Sequence, residues 1–321
     1  MNYTKMAENT LRQDYGINEY SLTFLRQSEN AIFKVETSER QYVLRLHIQK
    51  DGLNVQHDIG RLESEMKFLK ELHKHSSLRV QCPIETKSSC LYAQLPNNTF
   101  ASLLTWLDGD NFDPSHKDAA EHAHLVGEMI SDLRAFTTGR FDINSLPHPA
   151  YDSQRVMQVV DALKDGIDIG LYTASQYEDL LQAAQCICKE MDAANLSEGT
   201  SGLIHGDLGP GNIIMHNGTA SPIDFGRFSH GPYLLDLSGF IASLKQPHLR
   251  KAALEGYSKR YPLSNRDYYS ICTFILAGIY LFMHMILHNT YGQKWFGLRL
   301  PDIISEYVHP IINGESFLDA L

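Results

Sequence analysis

Three side chains with hard oxygen atoms lie close together in this 321-residue chain: Asp207, Asn212 and Asp224. The first two stand in His205-Gly206-Asp207-Leu208-Gly209-Pro210-Gly211-Asn212, and the third in Ile223-Asp224-Phe225-Gly226, with twelve residues from Asn212 to Asp224. One carboxylate of such a set can take the proton of an attacking hydroxyl, while the other carboxylate and the amide oxygen are donors that suit Mg²⁺. Phosphoryl transfer leaves a protein little covalent chemistry. It asks for a placed base and placed charge, which this set supplies.

An Asp, four residues and then an Asn, followed by Asp-Phe-Gly, resembles a kinase catalytic loop with its second metal carboxylate. The chain as a whole resembles the aminoglycoside phosphotransferase and choline kinase-like family of small-molecule kinases, whose loop typically reads HGDLHPGN. Here Gly209 replaces the usual His, a departure that touches neither base nor metal ligand. The resemblance implies that Asp207 is the catalytic base, or orients the acceptor hydroxyl. It implies that Asn212 and Asp224 hold Mg²⁺, and that ATP is the donor, with GTP left open. It also implies that His205 anchors the loop backbone and that Asp236, separated from Gly226 by nine residues, braces the loop. The implied fold is α+β and bilobal, like a protein kinase. A small antiparallel sheet with one helix forms an N-terminal nucleotide-binding lobe at 1–107, and a larger, mostly helical lobe follows at 108–321.

The elements needed to position these groups can be read from periodicity. Ser21 to His47 reads as three short strands joined at Ser28-Glu29-Asn30 and Thr37-Ser38-Glu39. Period two puts Tyr42, Leu44 and Leu46 on one face of the third strand and Val43, Arg45 and His47 on the other. Asp58 to His75 reads as a helix striped with Ile59, Leu62, Met66, Leu69 and Leu72. Glu65 lies inside that stripe, within about 60° of Leu62, Leu69 and Leu72 at 100° per residue. A carboxylate on a buried face needs a cation, and Arg45 is the one the fold would deliver.

In the resembling family, Arg45 stands where a Lys usually grips the α- and β-phosphates, and Val43 faces the adenine ring. Ser28 resembles a residue of the Ser/Gly-x-Glu-Asn turn that touches the β-phosphate. Two further strands are expected near Leu91–Leu95 and Thr99–Leu107.

Beyond the turn-rich Asp108–Pro114 the pattern becomes helical, at roughly Ser115–Phe136, Ser153–Asp165 and Thr173–Ala194. Ile213–His216 and Ala220–Asp224 flank Asn217-Gly218, a hairpin signal. Helices resume at Leu235–Leu244, Leu249–Arg260, Ser264–His288 and Pro301–Ile312. The nearly unbroken apolar run Ile271–Leu287 is short for a bilayer span, and it reads as a buried helix of the larger lobe.

A formal net charge of −10 argues against a nucleic-acid partner and fits a cationic substrate, although solubility explains it as well. The five cysteines are odd in number and lack framework spacing, so reduced thiols are expected. With no apolar core near Met1, a cytoplasmic location without membrane association is expected. His284 and His288 sit one turn apart without the Glu of a zincin motif. Tyr291, Trp295 and Phe296 read as packing, or as an aromatic wall for a cation.

Gly206 stands where protein kinases carry an arginine, and no Ala-Pro-Glu follows. The expected activity is therefore ATP- and Mg²⁺-dependent transfer of the γ-phosphoryl group to a hydroxyl of a small, amine-bearing molecule. The alternatives are an atypical protein kinase of the same branch or a catalytically silent binding module.

Overall fold

The computed structural model describes residues 2–27, 30–47, 59–96, 99–140 and 149–318. They cluster as two compact units, one running to Asp110 and taking back Ser221–Gly226, the other holding the remainder. Ser28, Glu29 and Asp58 lie outside the described residues.

The smaller unit contains α1 (Tyr3–Gln13), β1 (Ser21–Gln27), β2 (Asn30–Glu36), β3 (Gln41–His47), α2 (Ile59–His75), β4 (Ala93–Leu95) and β5 (Thr99–Thr105). The strands form an antiparallel sheet in the order β1-β2-β3-β5-β4. Arg45 lies opposite Ile32 on β2 and Ser102 on β5. The expected alternation of β3 is present, but both of its faces are buried. On one face Leu44 and Leu46 join Ala31, Phe33 and Leu103 against Ala7 and Leu11 of α1. On the other face Arg45 meets Glu65 of α2. The periodicity gave no sign of α1, whose buried set is only Ala7, Thr10 and Leu11. Its start is fixed by Asn2, which accepts a hydrogen bond from the Lys5 N–H at 3.1 Å.

The larger unit is built of α3 (Ala119–Arg140), α4 (Ser153–Leu163), the single turn α5 (Asp165–Asp168), α6 (Ala174–Leu196), α7 (Leu234–Ser243), α8 (Pro247–Ser258), α9 (Asn265–Ile286), α10 (Thr290–Ile303) and α11 (His309–Ile312). Capping boxes at Thr173/Gln176 and Ser264/Asp267 start α6 and α9. α3 begins later than expected because Ser115 is drawn into a turn, its N–H donating to the Asp113 carboxylate at 2.8 Å. Where α3 crosses α8, a Cβ on Gly127 or Gly256 would lie 2.0 Å from a carbonyl oxygen of the other helix, so the backbones touch there. α9 is the only described helix long and apolar enough to cross a membrane by length and composition, and 56% of its apolar window is buried.

Pro301 does not open the last helix as expected. It sits inside α10, and a π turn over Ile304–Val308 follows. A proline inside a helix removes one N–H from the hydrogen-bond ladder.

Short strands frame the loops that carry the motifs. β7 (Ser201–Ile204) pairs antiparallel with β10 (Ser229–Pro232), a pair the sequence pattern did not indicate. β8 (Ile213–His216) and β9 (Thr219–Pro222) are neighbours in a three-stranded sheet with β6 (Asp110–Asn111). β9 stops at Pro222 rather than Asp224, because Asp224 adopts a left-handed φ of +66° that a strand cannot continue.

Candidate active site

β7 delivers the chain into the loop at His205, which is fully buried. The two N–H groups that follow the strand are both captured by one carboxylate. His205 N–H donates to Asp236 Oδ2 and Gly206 N–H to Asp236 Oδ1, each at 2.8 Å. Asp236 is buried in the first turn of α7. Burial pushes its carboxyl up to about 6, although the two backbone hydrogen bonds pull the other way. The Asp207 N–H donates to His205 Nδ1 at 3.3 Å, so the histidine does anchor backbone.

Gly206 has φ +77°, and a Cβ there would lie 2.4 Å from the Arg227 carbonyl oxygen. No side chain fits at this position, which accounts for the missing arginine in physical terms.

Asp207 follows with its side chain 50% exposed. Its carbonyl accepts from Asn212 Nδ2 at 2.9 Å, which leaves the amide oxygen of Asn212 for another partner. Asn111 Nδ2 donates to the Gly211 carbonyl at 2.8 Å and pins the far end of the loop. Arg227 Nε lies 3.8 Å from Asp207 Oδ2. Its place directly after Asp-Phe-Gly was the only mark it left in the sequence.

In the smaller unit Arg45 Nη2 donates to Glu65 Oε1 at 2.7 Å, with both side chains 5% exposed. Arg45 Nη1 lies 3.5 Å from Asp224 Oδ1, and Arg26 Nη2 lies 3.4 Å from Asp224 Oδ2. Burial opposes the Arg45 charge, but the Glu65 and Asp224 carboxylates outweigh it and hold its pKa above the ordinary value. Burial also pushes the Glu65 carboxyl up, against the pull of Arg45. Arg45 Nε donates to Ser102 Oγ at 3.3 Å, and that oxygen lies 3.0 Å from His47 Nε2. Phe225 packs on Phe68 of α2 with ring centroids 5.7 Å apart and fixes the segment that carries Asp224.

Arg26 was not anticipated. A bulge between Phe24 and Arg26 shifts it opposite Ile32, and bulges commonly re-aim a side chain in this way. Val43 is buried on β3, and Ser28 lies outside the described residues.

A model of the phosphotransferase enzyme family matches residues 21–269, more than half of the chain. The chain belongs to that family. No curated protein sequence matches it. Solved structures that share the fold include a microcompartment-associated aminopropanol kinase, with 18% identity and a TM-score of 0.77 over 98% of this chain and 99% of that one. Amicoumacin kinase in complex with AMP-PNP and Ca²⁺ has 14% identity and a TM-score of 0.72, over 98% and 94%. The GDP complex of aminoglycoside 2′-phosphotransferase-IIIa has 13% identity and a TM-score of 0.72, over 95% and 99%.

As a member of the phosphotransferase enzyme family, the protein needs room beside its loop, and the larger unit provides it. A cavity of about 290 Å³ is lined by Asp207, Arg227, Tyr151, Phe274 and Phe282 among others. Among the described residues no cluster of three or more His, Cys, Asp or Glu could hold a metal ion. An all-protein cage is therefore absent among them, and a Mg²⁺ shared with phosphates is the kind of metal the donor set suits.

Two predictions follow from these contacts. Arg45→Met and Glu65→Gln should each destabilise the protein, by roughly 3–5 kcal/mol where the surviving partner stays buried and charged. The double variant should be little worse than the poorer single. Urea denaturation of the four proteins reads the coupling, and additive losses would show that the two residues act separately.

Asp236 concerns pH. A carboxyl raised to about 6 binds its proton more tightly in the folded protein than in the unfolded chain. Its contribution to stability is therefore fully present below the unfolded value near 4 and is lost as pH rises through about 6. The same proton removes an acceptor from the loop, so kcat should fall on acidification with a midpoint near 6 while the fold persists. Asp236→Asn should transfer more slowly at neutral pH and lack that acid limb. An identical acid limb in wild type and variant would exclude Asp236 as its source.

Proposed function

We propose that the protein transfers the γ-phosphoryl group of ATP, with Mg²⁺, to a hydroxyl of a small molecule. The observation that carries this reading is the Asp207 carboxylate, half exposed and lining a cavity, on a loop whose backbone is held by a buried acid. The acceptor oxygen attacks the γ-phosphorus, the bond to the β-phosphate bridging oxygen breaks, and ADP leaves. The hydroxyl proton passes to Asp207, or Asp207 orients the hydroxyl and the proton reaches solvent.

Asn212 and Asp224 are the proposed oxygen donors to Mg²⁺, which when bound would neutralise phosphate charge. Arg45, oriented by Glu65, is the proposed phosphate contact in place of the usual lysine. A guanidinium forks onto two oxygens where an ammonium offers a point charge. Ser28 and Val43 are proposed beside the nucleotide on the resemblance alone. GTP as donor finds support in the GDP-bound relative. An amine-bearing acceptor is the class that the net charge suggests and that the names of aminopropanol kinase and aminoglycoside phosphotransferase carry.

Asp207→Asn should lower kcat by about 10²–10⁴ while nucleotide affinity stays nearly unchanged, since the carboxylate serves the acceptor. Turnover above a tenth of wild type would remove Asp207 from that role. Asp224→Ala should abolish the Mg²⁺-dependent part of nucleotide binding in a calorimetric titration. Equal affinity in wild type and variant would place Asp224 outside the metal shell.

A further inference from the structure

Each nitrogen of the Arg45 guanidinium has a partner of its own. Nη2 donates to Glu65 Oε1 at 2.7 Å, Nε donates to Ser102 Oγ at 3.3 Å, and Nη1 lies 3.5 Å from Asp224 Oδ1. Glu65 and Ser102 are buried, while Asp224 is the more exposed end of the series. One hydrogen bond fixes a point on a flat group and leaves its plane free to turn. A second bond, from another nitrogen to another element, fixes the plane as well. Glu65 on α2 and Ser102 on β5 hold the guanidinium in this way, and Nη1 is left at the exposed end.

Register puts Ser102 in place for this contact. It lies directly opposite Arg45 on the neighbouring strand, where cross-strand side chains meet. A serine hydroxyl has one hydrogen to give and two lone pairs. Arg45 Nε fills one lone pair, and an O–H with no access to water needs an acceptor. His47, two residues along the same face of β3, has Nε2 3.0 Å from Ser102 Oγ and meets that need. With Nε2 accepting, the ring is neutral and its proton sits on Nδ1, so no second cation crowds the arginine. A lysine at position 45 has no Nε donor for this hydroxyl. Ser102 therefore answers to an arginine specifically.

We propose that Ser102, backed by His47, is a positioning residue for nucleotide binding. It locks the plane of Arg45, so that Nη1 meets a phosphate oxygen already ordered. This rests on the reading of Arg45 as the phosphate contact.

Calorimetric titrations with Mg²⁺–AMP-PNP and with adenosine test it, after urea denaturation has shown that each variant folds. Ser102→Ala frees one edge of the guanidinium, which must then be immobilised on binding. Its dissociation constant for AMP-PNP should rise roughly threefold to tenfold, the effect of ordering one long side chain. Adenosine carries no phosphate and should bind with unchanged affinity, whereas a merely structural defect would weaken both ligands alike. Ser102→Cys, closer in volume but a weak acceptor, should behave as Ser102→Ala does and covers the case in which the alanine variant does not fold. In an Arg45→Lys background the Nε donor is gone, and Ser102→Ala should then change AMP-PNP affinity by less than about twofold. Unchanged AMP-PNP affinity in Ser102→Ala, a loss shared by adenosine, or an equal loss in the Arg45→Lys background would each overturn the proposal. If Arg45→Lys is weakened for AMP-PNP and Ser102→Ala is not, the positioning role alone falls. If wild type does not bind AMP-PNP, or Arg45→Lys binds it as wild type does, the phosphate reading of Arg45 fails and takes the positioning role with it.

Discussion

The larger unit's chemistry depends on one buried acid accepting two consecutive backbone N–H groups. A carboxylate away from water is costly unless its lone pairs are filled. Asp236 fills them with the N–H groups of His205 and Gly206, which directly follow a strand. Two unsatisfied requirements thus cancel, and the geometry that cancels them fixes the turn before Asp207. The left-handed turn at Gly206 and its approach to the Arg227 carbonyl complete the constraint. Asp207 itself is then free to be half exposed, because its backbone is held by groups that are not. In the proposed role of Asp207, a base on a fixed loop loses little entropy when an acceptor arrives, and positioning of this kind is the main aid a protein gives to phosphoryl transfer.

The smaller unit meets a different problem with a different balance. Arg45 and Glu65 form a pair that alone would be neutral and buried, and buried pairs of that sort often contribute little net stability. Asp224 adds a second carboxylate on the other side of the guanidinium, and Arg26 a second cation beyond it. Asp224 lies at the more exposed end, with its side chain 35% accessible and its backbone in a left-handed conformation that non-glycine residues seldom adopt. Strain and exposure together at the end of a charge relay agree with the proposed role of Asp224 toward a metal. The contacts from Asp224 to both arginines are also long, at 3.4 and 3.5 Å, so a stronger partner could displace them at small cost.

Much of this was legible in the sequence where a local rule and a tertiary need agreed. Glu65 stood out because a carboxylate inside an apolar stripe requires a cation, and strand alternation named Arg45 as that cation. Asn217-Gly218 marked its hairpin because both residues take positive φ. What stayed hidden had no local signature. α1 is a short helix with a narrow apolar set whose burial depends on a sheet formed later in the chain. β7 and β10 are four residues each, too short for alternation to declare them. Arg26 depends on a bulge, and bulges are set by packing across strands rather than by the residues that form them. Pro301 misled because its usual place at a helix start is a statistical preference, and here it sits inside α10.

α9 shows how one helix can serve the core and the site at once. Its apolar run looks like a candidate span because most of its circumference is occupied: one side is buried at Ile271, Phe274, Leu276 and Tyr280, and another borders the cavity beside Asp207 at Gly278 and Phe282. A helix with both sides in use cannot show a clean amphipathic stripe. Gly278 lies on an exposed part of that helix, where a Cβ would meet nothing within 4 Å. Leaving a side chain out there gives up a little helix stability. The helix therefore borders, at Gly278 and Phe282, the cavity that also holds Asp207, where the proposed acceptor would sit.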